Sequence, residues 1–436
     1  MKGLIFTYAL TLVGTVGGLV SPFHGLLCYV CFAIVKPEHM WPWSVPQGRY
    51  SLALALTMLI GWTITQRATF QVGKSWGIVM FLLAYLGWSI AGAVVGQNQE
   101  LAWTFIENLA KIVMPFCIGL TTIDSVSKLK QLAWVMVCSQ GYVALELNVS
   151  YFSGYNVLAT SGFGLLDNNC VAIALVTGMG LGFFLGFHAE SFWAKCIAWG
   201  SSALMGHAVL FSFSRGGMVA SVLCGLAACV VIRKTPRSLL LMLLVAGLGL
   251  AFAGEEVRDR FMLIFTKKDG QREESAQSRV ELWANCEDLM HKYPIMGCGP
   301  NHFPLRAADY GWPVGKEAHS LWMQAGAEQG YVGLGLLVLF YLTTIVKMWM
   351  LTWKTTQLRD PWLLAVGQMV FSALAGFMVA AQFVSVESLE IPYYTVLLGC
   401  GALKLQTIPI GGRKTAEAVL AAEDDGRRGL VPALGV

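Results

Sequence analysis

The sequence predicts an all-α polytopic membrane protein of about 12 transmembrane helices with one large hydrophilic loop, and three observations carry that prediction. Of 436 residues, 56% are apolar and only 13% charged, whereas a soluble domain carries about 25% charged residues. Mean hydropathy is +0.60. The few charges collect in short clusters between apolar runs long enough to cross the ~30 Å hydrocarbon core of a bilayer. A formal net charge of +4, scattered along the chain, excludes a nucleic-acid surface, and no P-loop, zinc-type Cys/His spacing or dinucleotide fingerprint is present. Most of the 11 cysteines lie inside apolar runs, where cysteine acts as a small buried hydrophobe.

The apolar runs fall at 4–35, 50–66, 76–96, 101–122, 130–150, 170–187, 192–213, 216–232, 238–253, 319–346, 361–385 and 391–406. Loops 67–75, 123–130, 188–195, 233–237 and 353–360 hold ten Lys or Arg residues; the alternate short loops hold only Lys36, Arg49 and Arg215. By the positive-inside rule the first set is cytoplasmic. An amino terminus inside, carrying Lys2, then requires run 4–35 to count as a single crossing broken at Gly14, Gly17, Gly18 and Pro22. The resulting organisation is membrane helices 1–9 over 1–253, a periplasmic loop over 254–318, helices 10–12 over 319–406 and a disordered cytoplasmic tail over 407–436. Lys2 before an apolar stretch imitates a signal peptide, but no A-x-A-like site follows, and the segment is read as retained.

Candidate chemistry clusters at the outer face. Arg215 interrupts the apolar stretch from Ile197 to Ile232 close to the outer hydrocarbon boundary, where a guanidinium offers a planar fork to phosphate oxygens. Gly216 and Gly217 beside it let a backbone or ligand approach closely. In the loop, Ser275 to Tyr293 reads as an amphipathic helix closed by Pro294, with Arg279, Trp283, Cys286 and Met290 on one face. The loop is not basic, with nine Lys/Arg against eleven Asp/Glu, so phosphate recognition would rest on individual arginines. His319 stands where the next membrane helix begins, and an imidazole there suits a general base. Ser320, Gln324 and Glu328 follow as one polar stripe descending into the membrane, with Gly330 and Gly333 allowing a bend. Whether Cys286 and Cys298, the only cysteines of the loop, are bridged stays open.

In order and spacing, Ser214-Arg215-Gly216, Ser278-Arg279 with Trp283, Tyr293-Pro294-Ile295-Met296-Gly297-Cys298-Gly299, and His319-Ser320 followed by Gln324, Glu328-Gln329-Gly330 and Gly333-Leu334 resemble the O-antigen ligase and polymerase superfamily. Asp167-Asn168-Asn169 and the Pro22 to Trp43 region are similar to its branch of O-glycosylation ligases associated with exosortase systems. The resemblance implies a GT-C-like, metal-independent glycosyltransferase of the bacterial inner membrane, acting at its periplasmic face without a cofactor, as in lipopolysaccharide biosynthesis. It would move a glycan from a polyprenyl (undecaprenyl) diphosphate carrier to an acceptor hydroxyl on lipid A core or protein. Arg215 and Arg279 would bind the departing diphosphate and His319 would act on the acceptor hydroxyl. Gly216, Trp283, Ser320, Gln324 and Glu328 would line the substrate site. Ser320 stands where many members carry asparagine, and Cys298 where an aliphatic is common. A chain polymerase of the same superfamily and a lipid-linked glycan transporter are the alternative readings.

Overall fold

The computed structural model describes residues 1–65, 69–236, 274–353, 357–386 and 389–407, with isolated positions between 238 and 247. The expected ninth run, the first part of the loop and the tail beyond Thr407 therefore lie mostly outside the described residues. What is described is helical, with no strand and one isolated bridge between Phe163 and Leu166. In chain order the helices are α1 (Lys2–Val20), α2 (Pro22–Val35), α3 (Pro37–Met40), α4 (Tyr50–Thr65), α5 (Trp76–Val95), α6 (Gln99–Thr122), α7 (Val126–Phe152), α8 (Val157–Ser161), α9 (Asn168–His188), α10 (Phe192–Phe211), α11 (Arg215–Val231), α12 (Glu274–Lys292), α13 (Phe303–Arg306), α14 (Leu321–Trp353), α15 (Trp362–Ala380) and α16 (Glu390–Thr407). Seven helical segments are long and apolar enough to cross a membrane; Tyr50–Thr65 and Arg215–Val231 are shorter apolar helices.

One face of the bundle is tied together by cations. Lys404 Nζ donates to the Leu120 carbonyl at 2.6 Å, Lys347 Nζ to the Lys74 carbonyl at 2.7 Å, and Lys130 pairs with Glu190 at 3.1 Å. We call this the basic face and the other, which carries α12 and the start of α14, the loop face. α9 is central, packing on α7, α10, α11 and α15, and buried residues run around its whole circumference from Cys170 to Gly186, as expected of a helix apolar on every side. α1 lies at the edge with most of its surface unburied.

The first apolar run departs from expectation. Ser21 is extended (φ −146°, ψ 104°), and the chain turns back there so that α2 packs antiparallel on α1: Gly14 abuts Cys28 and Gly18 abuts Gly25. The turn lies at the basic face, where Lys128 Nζ sits 5.4 Å from the Phe23 ring. The run is two helices, not one broken crossing, because proline opens a new helix at its first position rather than kinking the old one. Lys2 consequently joins the loop face, paired with Glu146 near the end of α7 at 2.7 Å.

Helix α14 is broken where the sequence offers its glycines. Gly330 adopts φ 68°, ψ −176°, and a Cβ there would lie 2.2 Å from the Ile295 carbonyl oxygen, so only glycine fits. A break strands backbone groups inside the bundle, which must find partners. The Pro294–Pro300 turn and α5 supply them. Cys298 N–H donates to the Ala327 carbonyl, Gly299 N–H to that of Glu328 and Trp88 Nε1 to that of Gln329, while Tyr331 N–H donates to the Pro294 carbonyl, all at 2.9–3.0 Å.

Candidate active site

Three helices begin side by side at the loop face, each capped by its own side chain. Asp167 accepts from Cys170 N–H (2.8 Å) to open α9, Ser214 from Gly217 N–H (3.1 Å) to open α11, and Ser320 from Met323 N–H (3.3 Å) to open α14. These are residue types preferred at N-caps because they satisfy otherwise orphaned amides. Arg215 is the first residue of α11 and half-buried. The turn before it is held from α9 and α8, where Asn168 Nδ2 donates to the Ser212 carbonyl (2.8 Å) and Asn156 Nδ2 to that of Phe211 (2.7 Å).

His319 sits immediately before the Ser320 cap with φ 51°, a left-handed conformation uncommon outside glycine and a mark of a constrained position. Its neighbours hold it there. Ala318 accepts from Trp283 Nε1 at 3.0 Å and donates to Gln324 Oε1 at 3.2 Å, so both backbone groups beside the imidazole are fixed. Burial, then the positive charges of Arg279 and Lys316, hold the His319 imidazolium below its ordinary pKa, against an opposing pull from Asp167. The Asp167 carboxyl in turn lies below the usual range: burial raises it, but the hydrogen bonds from Cys170 and Asn169 and the nearby His319 outweigh that.

The structure thus brings Arg279, Lys316 and Asp167 within electrostatic reach of His319, and Asn168 ties the start of α9 to the turn that precedes Arg215. Asp167 is the residue that sequence reasoning left without a role. Its signal was the Asp167-Asn168-Asn169 run before an apolar helix, which reads equally well as a plain N-cap. Gly216 admits the Phe383 side chain, 2.9 Å from where its Cβ would be, and Gly217 admits Ala172 at 2.8 Å. The polar stripe of α14 is fully engaged. Glu328, 1% exposed, accepts from Asn301 N–H (2.6 Å), Phe303 N–H (3.1 Å) and Gln324 Nε2 (3.2 Å).

Helix α12 docks by the expected face. Leu282, Cys286, Leu289 and Met290 pack with Phe303, Ala307, Ala318 and Ala327, leaving Arg279 and Trp283 half-buried at the His319 end. Cys286 and Cys298 are both free thiols. Burial and the Glu328 carboxylate push both well above the ordinary thiol pKa.

Residues 200–338 match the family model of the O-antigen ligase. The chain carries an O-antigen ligase domain. That domain contains Arg215, Arg279 and His319 together with the broken helix and the turn that plugs it. Residues 1–185 match a family of unknown function, so Asp167 comes from outside the O-antigen ligase domain. No curated protein matches the chain.

Proposed function

We propose that this protein transfers a glycan from a polyprenyl diphosphate carrier to an acceptor hydroxyl at the periplasmic face of a bacterial inner membrane, as an O-antigen ligase-type enzyme. The observation that supports the proposal is the opening of α9, α11 and α14 at the loop face, with His319 within electrostatic reach of Arg279 and Asp167 and Arg215 first in α11. The basic face, with Lys74, Lys128, Lys130, Lys347 and Lys404, is then cytoplasmic by the positive-inside rule, and the loop face periplasmic. Because the first apolar run contributes two helices in place of one, the crossings would exceed the 12 counted from sequence by one.

In the reaction the acceptor oxygen forms a bond to the anomeric carbon while the bond from that carbon to the diphosphate oxygen breaks. The electron pair leaves with the diphosphate, whose growing charge is met by the guanidinium groups of Arg215 and Arg279. The hydroxyl proton passes to His319, which is neutral near pH 7 and therefore able to accept it. Asp167 acts through its charge, which steadies the imidazolium that forms. Gln324, Glu328 and Trp283 hold the chain that presents His319, and Ser320 caps the helix behind it.

The test is transfer of purified carrier-linked glycan by full-length protein in lipid. Arg215→Lys and Arg279→Lys keep the charge but lose the fork, and each should cut transfer strongly at matched protein levels. Activity near that of the parent in both variants overturns the diphosphate assignment. Surface glycans of a deletion strain separate the two enzymatic outcomes. Naked acceptor with long carrier-linked chains indicates a ligase, and single repeat units on the acceptor indicate a polymerase.

A further inference from the structure

His302 is fully buried at the seam between the α5–α6 loop and the Pro294–Pro300 turn, and both its ring nitrogens are engaged. The Asn98 N–H donates to Nε2 at 2.9 Å, while Nδ1 lies 2.8 Å from the Pro300 carbonyl oxygen. A backbone N–H can only donate and a carbonyl can only accept, so the arrangement requires one neutral tautomer, with its proton on Nδ1. Backbone closes on the ring from both sides: a Cβ on Gly299 would lie 3.0 Å from Nδ1, and one on Gly96 would lie 3.4 Å from Cε1. Asn98 belongs to the stretch that matches the family of unknown function and His302 to the O-antigen ligase domain, so their bond joins the two.

Protonation is incompatible with that bond. An imidazolium carries a hydrogen on each nitrogen, and the one on Nε2 would point at the Asn98 N–H. The ionisable groups of the surrounding elements offer no substitute acceptor. On α14, Glu328 grips the backbone on either side of His302, and both its oxygens already accept, from Asn301 N–H, Phe303 N–H and Gln324 Nε2. In α13, Arg306 is a cation paired with Asp309 at 3.1 Å. The turn carries Cys298, the first turn of α6 the exposed Glu100, and α5 no acidic or basic residue. Other bonds from α5 to the ligase domain run from Trp88 Nε1 to the Gln329 carbonyl, from Ser89 Oγ to Gln329 Oε1 and from Gln329 Nε2 to the Tyr85 hydroxyl. None of these groups ordinarily changes charge between about pH 5 and 8. They keep α5 in place, while a cleft of about 180 Å³ along the seam gives the loop room to move. We propose that His302 is a proton-operated latch, which ties the α5–α6 loop to the Pro294–Pro300 turn at neutral pH and releases it in acid. The inference is independent of the transfer reading, and its test needs no turnover.

The experiment follows amide hydrogen exchange by mass spectrometry in full-length protein in lipid nanodiscs, between about pH 7.5 and about pH 5.5, a range that spans the ordinary histidine value near 6.5. Exchange of residues 96–102 in the parent is compared with that in His302→Gln, whose amide can still accept from Asn98 but takes up no proton in this range. Comparison at equal pH cancels the intrinsic pH dependence of exchange. Because opening is linked to uptake of one proton, the parent-to-variant ratio of rates should rise about tenfold from the upper to the lower pH. A ratio that stays constant overturns the latch. Should His302→Gln not fold, the rate of 96–102 relative to the basic-face loop 122–126, which holds no histidine, is read in the parent alone with the same expectation. His319→Ala should open as the parent does. Disappearance of the pH dependence in that variant would assign the titration to His319 and overturn the proposal.

Discussion

His319 gains its interest from what surrounds it. On the proposed reading His319 is the general base, and His319→Ala should lower transfer by about 10²–10⁴-fold; a drop of threefold or less at matched expression would assign it a surface role. Burial, Arg279 and Lys316 depress its pKa and Asp167 partly restores it. The base form is the neutral one, so activity should hold from neutral pH down past the usual histidine value near 6.5 and fall only as the depressed pKa is reached. Asp167→Asn isolates the carboxylate, because asparagine caps a helix as well as aspartate does. It should lower kcat and move the acid limb to still lower pH, since the one group raising the imidazole pKa is gone. An unmoved profile would reduce Asp167 to a cap. The sequence named Arg215, Arg279 and His319 as candidates but not their fourth member, because Asp167 reaches His319 across 152 positions and nothing in its local pattern distinguishes a charge partner from a cap.

At the scale of elements, the broken helix α14 and the turn that plugs it form one unit. Glu328 accepts two backbone N–H groups from the segment that follows the turn. Glu328→Gln must set an amide NH₂ against one of those donors, leaving it unsatisfied, which costs about 1–3 kcal/mol. A lower thermal midpoint and faster tryptic cleavage at Arg306 should follow; an unchanged midpoint would mean that the carboxylate does not hold the segment. Gly330→Ala should be worse, since its Cβ meets the Ile295 carbonyl at 2.2 Å. The bend at Gly330 was legible from its neighbouring glycines, and so was the docking face of α12, because periodicity reports which side of a helix is apolar. The use of Pro294–Pro300 as a plug was not, because each of its bonds joins residues about 30 positions apart.

Across the whole molecule, the α1–α2 hairpin sets the sidedness of everything that precedes the domain. A cysteine replacing Lys2 and one replacing Lys316 should both react with a membrane-impermeant maleimide applied from outside, on a background without other reactive thiols. One replacing Lys74 should react only after permeabilisation. Labelling of Lys2→Cys from the inside alone would restore the single-crossing reading of the first run. Hydropathy could not separate the two, since it measures how apolar residues 4–35 are and is blind to a reversal at Ser21. Charge counting carries little weight at this point for a related reason. Lys2 is a single cation, and in the structure it pairs with Glu146.

The three N-caps that frame His319 have a consequence beyond their hydrogen bonds. Each helix behind them carries a macrodipole worth roughly half a positive charge at its start, and α9, α11 and the half-helix of α14 all start at this one place. On the proposed transfer reading, part of the attraction for the leaving diphosphate would therefore be built into the peptide backbone and survive loss of the arginines. A protein with both Arg215→Ala and Arg279→Ala should still bind inorganic pyrophosphate, more weakly and with less sensitivity to salt than the parent, because the backbone dipoles bring no mobile side chain and only partial charge to the encounter. Complete loss of that residual binding would place the whole of the attraction in the two guanidinium groups.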